Sequence, residues 1–163
     1  MALKPDRNYN PADLVTYYSM FETGQRGGVV FQSTGFYPQG AGLDDGQQRC
    51  YYVNANTSGF KPVGLLCNDV VNLDLSRTHI NFHKDETQVG QPVTVAKQGE
   101  FVTNYFGVGQ ASGASLTLPA TVYAGPSGFL YTTAGYASSG WPAVGKVLSY
   151  VDSQGYARVR IDL

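Results

Sequence analysis

Residues 156–163, YARVRIDL, carry the pattern that decides the fold class. Apolar and charged side chains alternate along this stretch, with Ala157, Val159, Ile161 and Leu163 in one set and Arg158, Arg160 and Asp162 in the other. Because successive side chains of a strand point to opposite faces of a sheet, the alternation predicts a strand with one buried and one solvated face. We expect this strand to close the sheet from the C-terminal side.

The same period of two recurs in short runs rich in Val, Tyr, Phe and Thr. The predicted strands are 14–21, 29–33, 49–55, 63–66, 79–83, 92–96, 100–106, 115–118, 121–124, 129–133, 143–150 and 156–163. Residues 69–77 could instead form a single helical turn. Strands at this spacing, separated by Gly-rich turns, predict an all-β fold, either an antiparallel β-barrel or a β-sandwich.

Two repeated features predict local geometry. The first is a segment in which an apolar residue, a few polar ones and a Gly precede an aromatic, at 53–60, 95–101, 122–129 and 150–156, each interpreted as a hairpin. The second is a Gly inside a strand, in PVGLL and in PAVGKVL, where a bulge or a barrel bend is expected. This echo suggests two packed β units, about 14–89 and 90–163, within one β domain of residues 14–163.

Residues 1–13, MALKPDRNYNPAD, contain two prolines and few apolar side chains. They predict an extended N-terminal arm, which could span about 40 Å at roughly 3.3 Å per residue. An arm of this reach could grasp a neighbouring molecule. Since it has little to bury internally, deleting residues 1–12 is expected to weaken attachment to a partner more than it lowers thermal stability.

The composition indicates a weakly charged protein. Charged residues make up 14% of the 163 residues, against roughly 25% in an average soluble domain. Eleven Lys and Arg stand against twelve Asp and Glu without any basic run, so we predict no nucleic-acid partner. No apolar stretch approaches the roughly 18 residues that span a bilayer, and residues 1–10 do not read as a secretory signal, so we expect a soluble protein made in the cytoplasm with no membrane partner.

The motifs that could carry chemistry favour structural interpretations. His79 and His83 fall on a predicted strand, where residues four apart lie roughly 13 Å from each other, too far for one zinc ion. The acidic pairs at 44–45 and 85–86 lie beside turn residues and are interpreted as solvated loops. We interpret Cys50 and Cys67 as two reduced, buried thiols, because neither lies in a nucleophile signature. The sequence therefore predicts no enzyme, no cofactor and no metal site.

The aromatic residues include candidates for partner binding. Adjacent tyrosines such as Tyr17 and Tyr18, or Tyr51 and Tyr52, must point to opposite faces of a strand, which leaves one of each pair free for solvent or a partner. Such rings could stack on sugars or anchor a protein interface. The predicted partner-binding residues are Lys4, Arg7, Tyr9, Tyr17, Tyr52, Trp141, Arg158 and Arg160.

Residues 90–163 carry an ordered set of motifs: GQPVTVA with GEF shortly after it, then VYAGPSGFLYTT, then AVGKVLSYVDSQGYARVRIDL. In this order they resemble the C-terminal portion of tailed-bacteriophage head decoration proteins, also called capsid cement proteins. The resemblance covers nearly half of the chain and leaves residues 1–89 unassigned. It implies a β-barrel or β-sandwich that binds the major capsid protein on the outer face of an assembled shell, as a homotrimer or homodimer, and is located in the virion.

We therefore predict a structural virion protein that stabilises contacts between capsomers. Two other classes stay open. One is another virion component with the same β pattern, such as a tail, baseplate or fibre protein. The other is a carbohydrate-binding β-module that uses Trp141 and the tyrosines as a stacking platform.

Overall fold

The computed structural model describes residues 3–8, 10–33, 48–53, 60–72, 86–107, 117–132 and 140–163, and the fold they form is all-β, as predicted. Short 3-10 turns occupy Pro11–Asp13 and Pro126–Gly128. The strands are β1 (Leu3–Asn8), β2 (Leu14–Met20), β3 (Val29–Ser33), β4 (Gln48–Tyr51), β5 (Phe60–Leu66), β6 (Asp69–Val71), β7 (Glu86–Gln88), β8 (Pro92–Ala96), β9 (Gln98–Thr103), β10 (Ala120–Ala124), β11 (Leu130–Tyr131), β12 (Ala143–Val147) and β13 (Ala157–Asp162).

These strands form a closed barrel, a six-stranded sheet and a small two-stranded sheet. The barrel closes in the order β2-β4-β3-β5-β8, and a six-stranded sheet has the order β1-β9-β13-β12-β10-β11. A separate small sheet pairs β6 with β7. The chain passes from the barrel to the six-stranded sheet at Lys97, between β8 and β9. The segment 95–101 is therefore not the hairpin we expected, because the strands on either side of Lys97 belong to different sheets.

One pair of barrel strands runs parallel, which differs from the antiparallel prediction. In that pair Tyr18 of β2 lies opposite Gln48 of β4, and Met20 lies opposite Cys50. The reason is geometric, since strand direction cannot alternate all the way around a closed ring of five. The pairing of β6 with β7 is also parallel. The helical turn expected over 69–77 is wrong for Asp69–Val71, which form β6.

Two apolar clusters hold the fold together. One draws side chains from all five barrel strands and occupies the barrel interior. The other contains barrel residues together with residues of the six-stranded sheet and fills the space between them. Strand β3 contributes to both, since Val30 belongs to the interior cluster whereas Val29 and Phe31 belong to the second. This alternation follows from the period of two along a strand.

Strand β13 has the predicted alternation of buried and exposed side chains along its length. Its position differs from the expected one. It lies inside the sheet, paired with β9 on one side and with β12 on the other, so it does not close an edge. Strand β1 forms that edge, because it pairs antiparallel with β9, with Leu3 opposite Thr103 and Asn8 opposite Glu100.

The N-terminal segment is extended, as predicted, but it is less independent than expected. The side chain of Leu3 is 3% exposed and belongs to the cluster between barrel and sheet. The expectation that residues 1–12 bury little inside the domain is therefore wrong for Leu3.

Two strand glycines lie at the bulges that the sequence predicts. Gly64 is opposite Val30, and the β3–β5 register shifts at the next residue. Gly145 is opposite Val122, and the β10–β12 register shifts there in the same way. A Cβ atom on Gly145 would lie 1.9 Å from the carbonyl oxygen of Arg160, so this close strand approach requires glycine.

The remaining local predictions have mixed outcomes. The segments 122–129 and 150–156 each connect antiparallel neighbours, β10 with β11 and β12 with β13, and both hairpins are confirmed. The predicted strand with His79 and His83, the acidic pair at 44–45, Asp85 and most of the segment 53–60 lie outside the described residues. Within the described part of the chain, no helix has both the length and the apolar character that a membrane crossing needs.

Candidate interaction surface

The outward face of the six-stranded sheet presents charged side chains near its centre. Arg158 and Arg160 of β13 are exposed on this face, while their neighbours along the strand are buried. Lys146 of β12 is the direct partner of Arg160 on one side, and Glu100 of β9 is its partner on the other. Directly opposed side chains in a sheet have Cβ atoms about 4.5–5.5 Å apart. The register therefore assembles these charges into one row.

The row contains an unfavourable pairing. Lys146 and Arg160 are like charges placed directly opposite each other, an arrangement that destabilises a sheet. Arg158 adds a third positive charge two residues along the same face of β13. We call Lys146, Arg158 and Arg160 the basic patch. In a chain whose formal net charge is -1, the patch concentrates positive charge at the centre of one sheet face.

A polar cleft adjoins the basic patch at the junction of β1, β9 and β13. Its volume is about 340 Å³, and its lining includes the carboxylates of Asp13, Glu100 and Asp162 together with Arg160. Gln98 fixes one of these carboxylates, because its side-chain amide donates a hydrogen bond of 3.1 Å to Oδ1 of Asp162. The face thus has a positive centre with a negatively charged cleft beside it.

The prediction for Trp141 as a surface contact is wrong. Its side chain is 8% exposed and belongs to the cluster between barrel and sheet. The indole ring lies edge to face against Phe31 of β3. Trp141 stands just before β12, and its large apolar ring fills space between the two layers. A sugar-stacking platform built on this ring is therefore closed to ligands.

Tyr52 is also engaged within the chain. Its ring stacks on Tyr105 at a centroid distance of 5.9 Å, and Tyr105 in turn stacks on Phe129 at 4.5 Å. The Tyr52 hydroxyl donates a 2.5 Å hydrogen bond to the carbonyl oxygen of Gln25. Burial raises the pKa of the Tyr52 phenol well above its usual value, and burial also raises the pKa of Tyr105. The ring that the sequence assigned to a partner serves internal packing.

The other predicted contacts divide into two groups. Arg158 and Arg160 lie together on the exposed face. For Lys4 and Arg7 on β1 and Tyr17 on β2, the side chains lie outside what the structure describes, as does the whole of Tyr9. Their partner-binding roles stay predictions.

Both cysteines are free and buried, which confirms their interpretation. Burial, followed by the nearby charge of Glu22, raises the pKa of the Cys50 thiol to about 12. Because the thiolate is the nucleophilic and metal-binding form, this thiol is inert near neutral pH. Among the residues that the structure describes, no group of three His, Cys, Asp or Glu side chains is placed to hold a metal ion.

Sequence reasoning missed several residues of this surface. Strand register brings Lys146, Glu100 and Gln98 to this surface, and the 3-10 turn Pro11–Asp13 places Asp13 in the lining of the same cleft. The alternating pattern of 143–147 could have placed Lys146 on an exposed face. No local signal in the sequence identifies which strand lies next to which.

No protein-family model, no curated protein and no solved structure matches this chain. The resemblance of residues 90–163 to capsid decoration proteins therefore stays a prediction.

Proposed function

We propose that this protein is a structural component of a virion that binds the outer surface of an assembled phage capsid and stabilises contacts between capsomers. The observation that carries the proposal is the basic patch, in which Arg158 and Arg160 stand beside Lys146 on an exposed sheet face. Lys146 and Arg160 are directly opposed like charges, and although Glu100 offsets part of their repulsion from the other side of Arg160, an anionic partner surface would offset more of it.

The proposed surface is suited to a protein partner. Strand β13 is hydrogen-bonded to β12 on one side and to β9 on the other, so the backbone that carries Arg158 and Arg160 is rigid. A pre-organised surface loses less conformational freedom on binding than a loop does. Arginine is also among the residues enriched at binding hot spots.

The segment that carries the sequence resemblance also forms most of the sheet that carries the basic patch. The motifs within residues 90–163 contribute β8 to the barrel and β9 to β13 to the six-stranded sheet. Five of the six strands of the sheet that carries the basic patch therefore come from the segment that resembles decoration proteins.

The proposed action is mechanical. A protein that bridges two capsomers opposes their separation, because its interface free energy must be lost before they part. If it binds only the expanded shell, it also shifts the equilibrium towards that state. The major capsid protein is the proposed partner, and the proposed location is the outer surface of the virion.

The test is a binding assay with purified protein and heads that lack it, assembled from the major capsid protein of the same virus. Wild-type protein is expected to bind in a saturable, stoichiometric manner. The double variant Arg158→Gln, Arg160→Gln should bind at least about tenfold more weakly, since hydrogen bonds to charged groups contribute roughly 1.5–3 kcal/mol each.

The matched control is Lys61→Gln, which removes an exposed positive charge from barrel strand β5. It should bind as the wild type does. Absence of saturable wild-type binding would refute the capsid proposal, and gold labelling of tails, baseplates or fibres would favour the other virion roles. Equal weakening by the barrel and sheet variants would show that the basic patch is not the contact.

A further inference from the structure

Tyr150 lies in the loop that joins β12 to β13, and its side chain is 53% exposed. Over the described ranges of the chain, the other large apolar side chain with such exposure is Phe21, which follows β2 in the barrel. The Phe21 ring already has a partner on one face, because the Arg49 guanidinium lies 4.2 Å from the ring centroid. Tyr150 is therefore the large apolar group that the six-stranded sheet, as described, presents to solvent.

The loop that carries Tyr150 is held in one shape by its own hydrogen bonds. Oδ1 of Asp152 accepts from the backbone N–H groups of Gln154 and Tyr156, at 2.8 and 2.9 Å. The backbone N–H of Asp152 donates a 2.8 Å hydrogen bond to the carbonyl oxygen of Tyr156. Val151, next to Tyr150, packs against the cluster between barrel and sheet. The backbone at Tyr150 is therefore fixed, so a partner that contacts this side chain orders little more than its two side-chain torsions.

The loop adjoins the basic patch at the Arg158 end. The backbone N–H of Arg158 donates a 2.9 Å hydrogen bond to Oγ of Ser149, and the backbone N–H of Leu148 donates a 2.8 Å bond to the carbonyl oxygen of Arg158. Tyr150 follows Ser149 directly, so its backbone lies beside the patch. The carboxylate-lined cleft lies at the opposite end of β13, at Asp162. The exposed tyrosine and the three cations thus occupy adjoining parts of the molecular surface.

We infer that Tyr150 is the apolar anchor of the contact that the basic patch makes. The inference rests on the proposed function and adds the chemistry of the partner surface, which has acidic side chains opposite the patch and, beside them, an apolar pocket that receives the phenol ring. Tyrosine and arginine are both enriched among the residues that carry most of the binding energy of an interface. The charges orient the partner and speed association, whereas burial of the ring slows dissociation.

Binding to heads that lack the protein tests the anchor with two variants at one position. Tyr150→Ala should bind about tenfold or more weakly than the wild type, whereas Tyr150→Phe keeps the ring and should bind within about threefold of it. Both variants should melt at the wild-type temperature, because the side chain is exposed. The matched control is Phe21→Ala, which removes the exposed ring of the barrel and should bind as the wild type does.

Binding kinetics separate the ring from the charges. Tyr150→Ala should raise the dissociation rate and leave the salt dependence of association unchanged, because it removes no charge. The double variant Arg158→Gln, Arg160→Gln should slow association and reduce its salt dependence. Slower association with a reduced salt dependence in Tyr150→Ala would contradict the role assigned to the ring.

The outcomes distinguish a failed anchor from a failed proposal of function. If the arginine double variant binds weakly but Tyr150→Ala binds as the wild type does, the anchor is refuted and the proposed function stands. Equal weakening by Tyr150→Ala and Phe21→Ala would also refute the anchor, since exposed rings would then contribute wherever they lie. Absence of binding by the wild-type protein would instead refute the proposed function, and the inference would fall with it.

Discussion

Trp141 packs edge to face against Phe31, with ring centroids 6.1 Å apart and ring planes at 69°. Phe31 belongs to barrel strand β3, and Trp141 lies two residues before the start of sheet strand β12. Both side chains are buried, so the contact ties the barrel to the six-stranded sheet. Offset and edge-to-face aromatic pairs contribute about 0.5–1.5 kcal/mol beyond the area they bury.

Replacing Trp141 by Ala should therefore lower the free energy of unfolding by about 3–5 kcal/mol, the usual cost of deleting a buried Trp side chain. Urea unfolding monitored by circular dichroism measures it. Tyr150→Ala is the control, because Tyr150 is 53% exposed and its truncation should cost much less. Similar costs for the two variants would contradict a core role for Trp141.

Gly145→Ala should destabilise the protein by about 1–3 kcal/mol, because the added Cβ would overlap the backbone of β13 and force the strands apart. The nearest atom is the Arg160 carbonyl oxygen, at 1.9 Å from the Cβ position. The neighbouring exposed residue gives the control, since Lys146→Ala should change stability by no more than about 0.5 kcal/mol. Thermal unfolding of both variants measures the two losses of stability. Equal losses would contradict a requirement for glycine at position 145.

Leu3→Ala should lower the free energy of unfolding by about 2 kcal/mol or more, as expected for a leucine whose side chain is buried in a core. The exposed residue at the other end of β1 supplies the control, and Asn8→Ala should have little effect on the melting temperature. If neither variant changes stability, residues 3–8 do not belong to the sheet. Because deletion of residues 1–12 also removes the buried Leu3 side chain, we expect it to lower stability as well as attachment to a partner.

The buried thiol of Cys50 should make stability fall at alkaline pH. Its pKa is raised from 9.0 to about 12 in the folded protein. Below pH 9 the Cys50 thiol is protonated in both the folded and the unfolded protein. Between pH 9 and about 12 it keeps its proton only in the folded protein. The free energy of unfolding should therefore fall by about 1.4 kcal/mol per pH unit in this window.

Urea unfolding of Cys50→Ala between pH 7 and 10 checks this pH dependence. The variant should follow the wild-type curve in parallel up to about pH 8 and decline less steeply above pH 9. The shifted Tyr52 pKa adds to the decline only at higher pH, since its ordinary value is 10.0. An unchanged slope in the variant would show that Cys50 does not keep its proton in the folded state.

A double-mutant cycle on Tyr105 and Phe129 should give a coupling energy of about 0.5–1.5 kcal/mol. Their rings are stacked at 4.5 Å with an interplanar angle of 10°. The single variants Tyr105→Leu and Phe129→Leu keep apolar volume and remove the stacking. Additive losses in the double variant would mean that the stack contributes nothing beyond burial.

Local patterns predicted the features that depend on neighbours in sequence. The hairpin at 122–129 and the bulges at Gly64 and Gly145 follow from turn and glycine chemistry acting over a few residues. The hairpin expected at 95–101 failed because the same apolar-to-aromatic pattern also fits a crossover between two sheets. The prediction of Trp141 as a surface contact was wrong for a related reason. An isolated aromatic residue in a Gly-rich segment does not show which layers its side chain will lie between.

The sequence by itself determined that Arg158 and Arg160 share an exposed strand face, because the period of two along a strand is a property of the backbone. Only the tertiary structure decided that Lys146 and Glu100 lie on either side of Arg160 and that β1 covers the β9 edge. Strand order and register depend on how distant segments bury their apolar faces against each other, so residues far apart in the chain meet only after the whole core has formed.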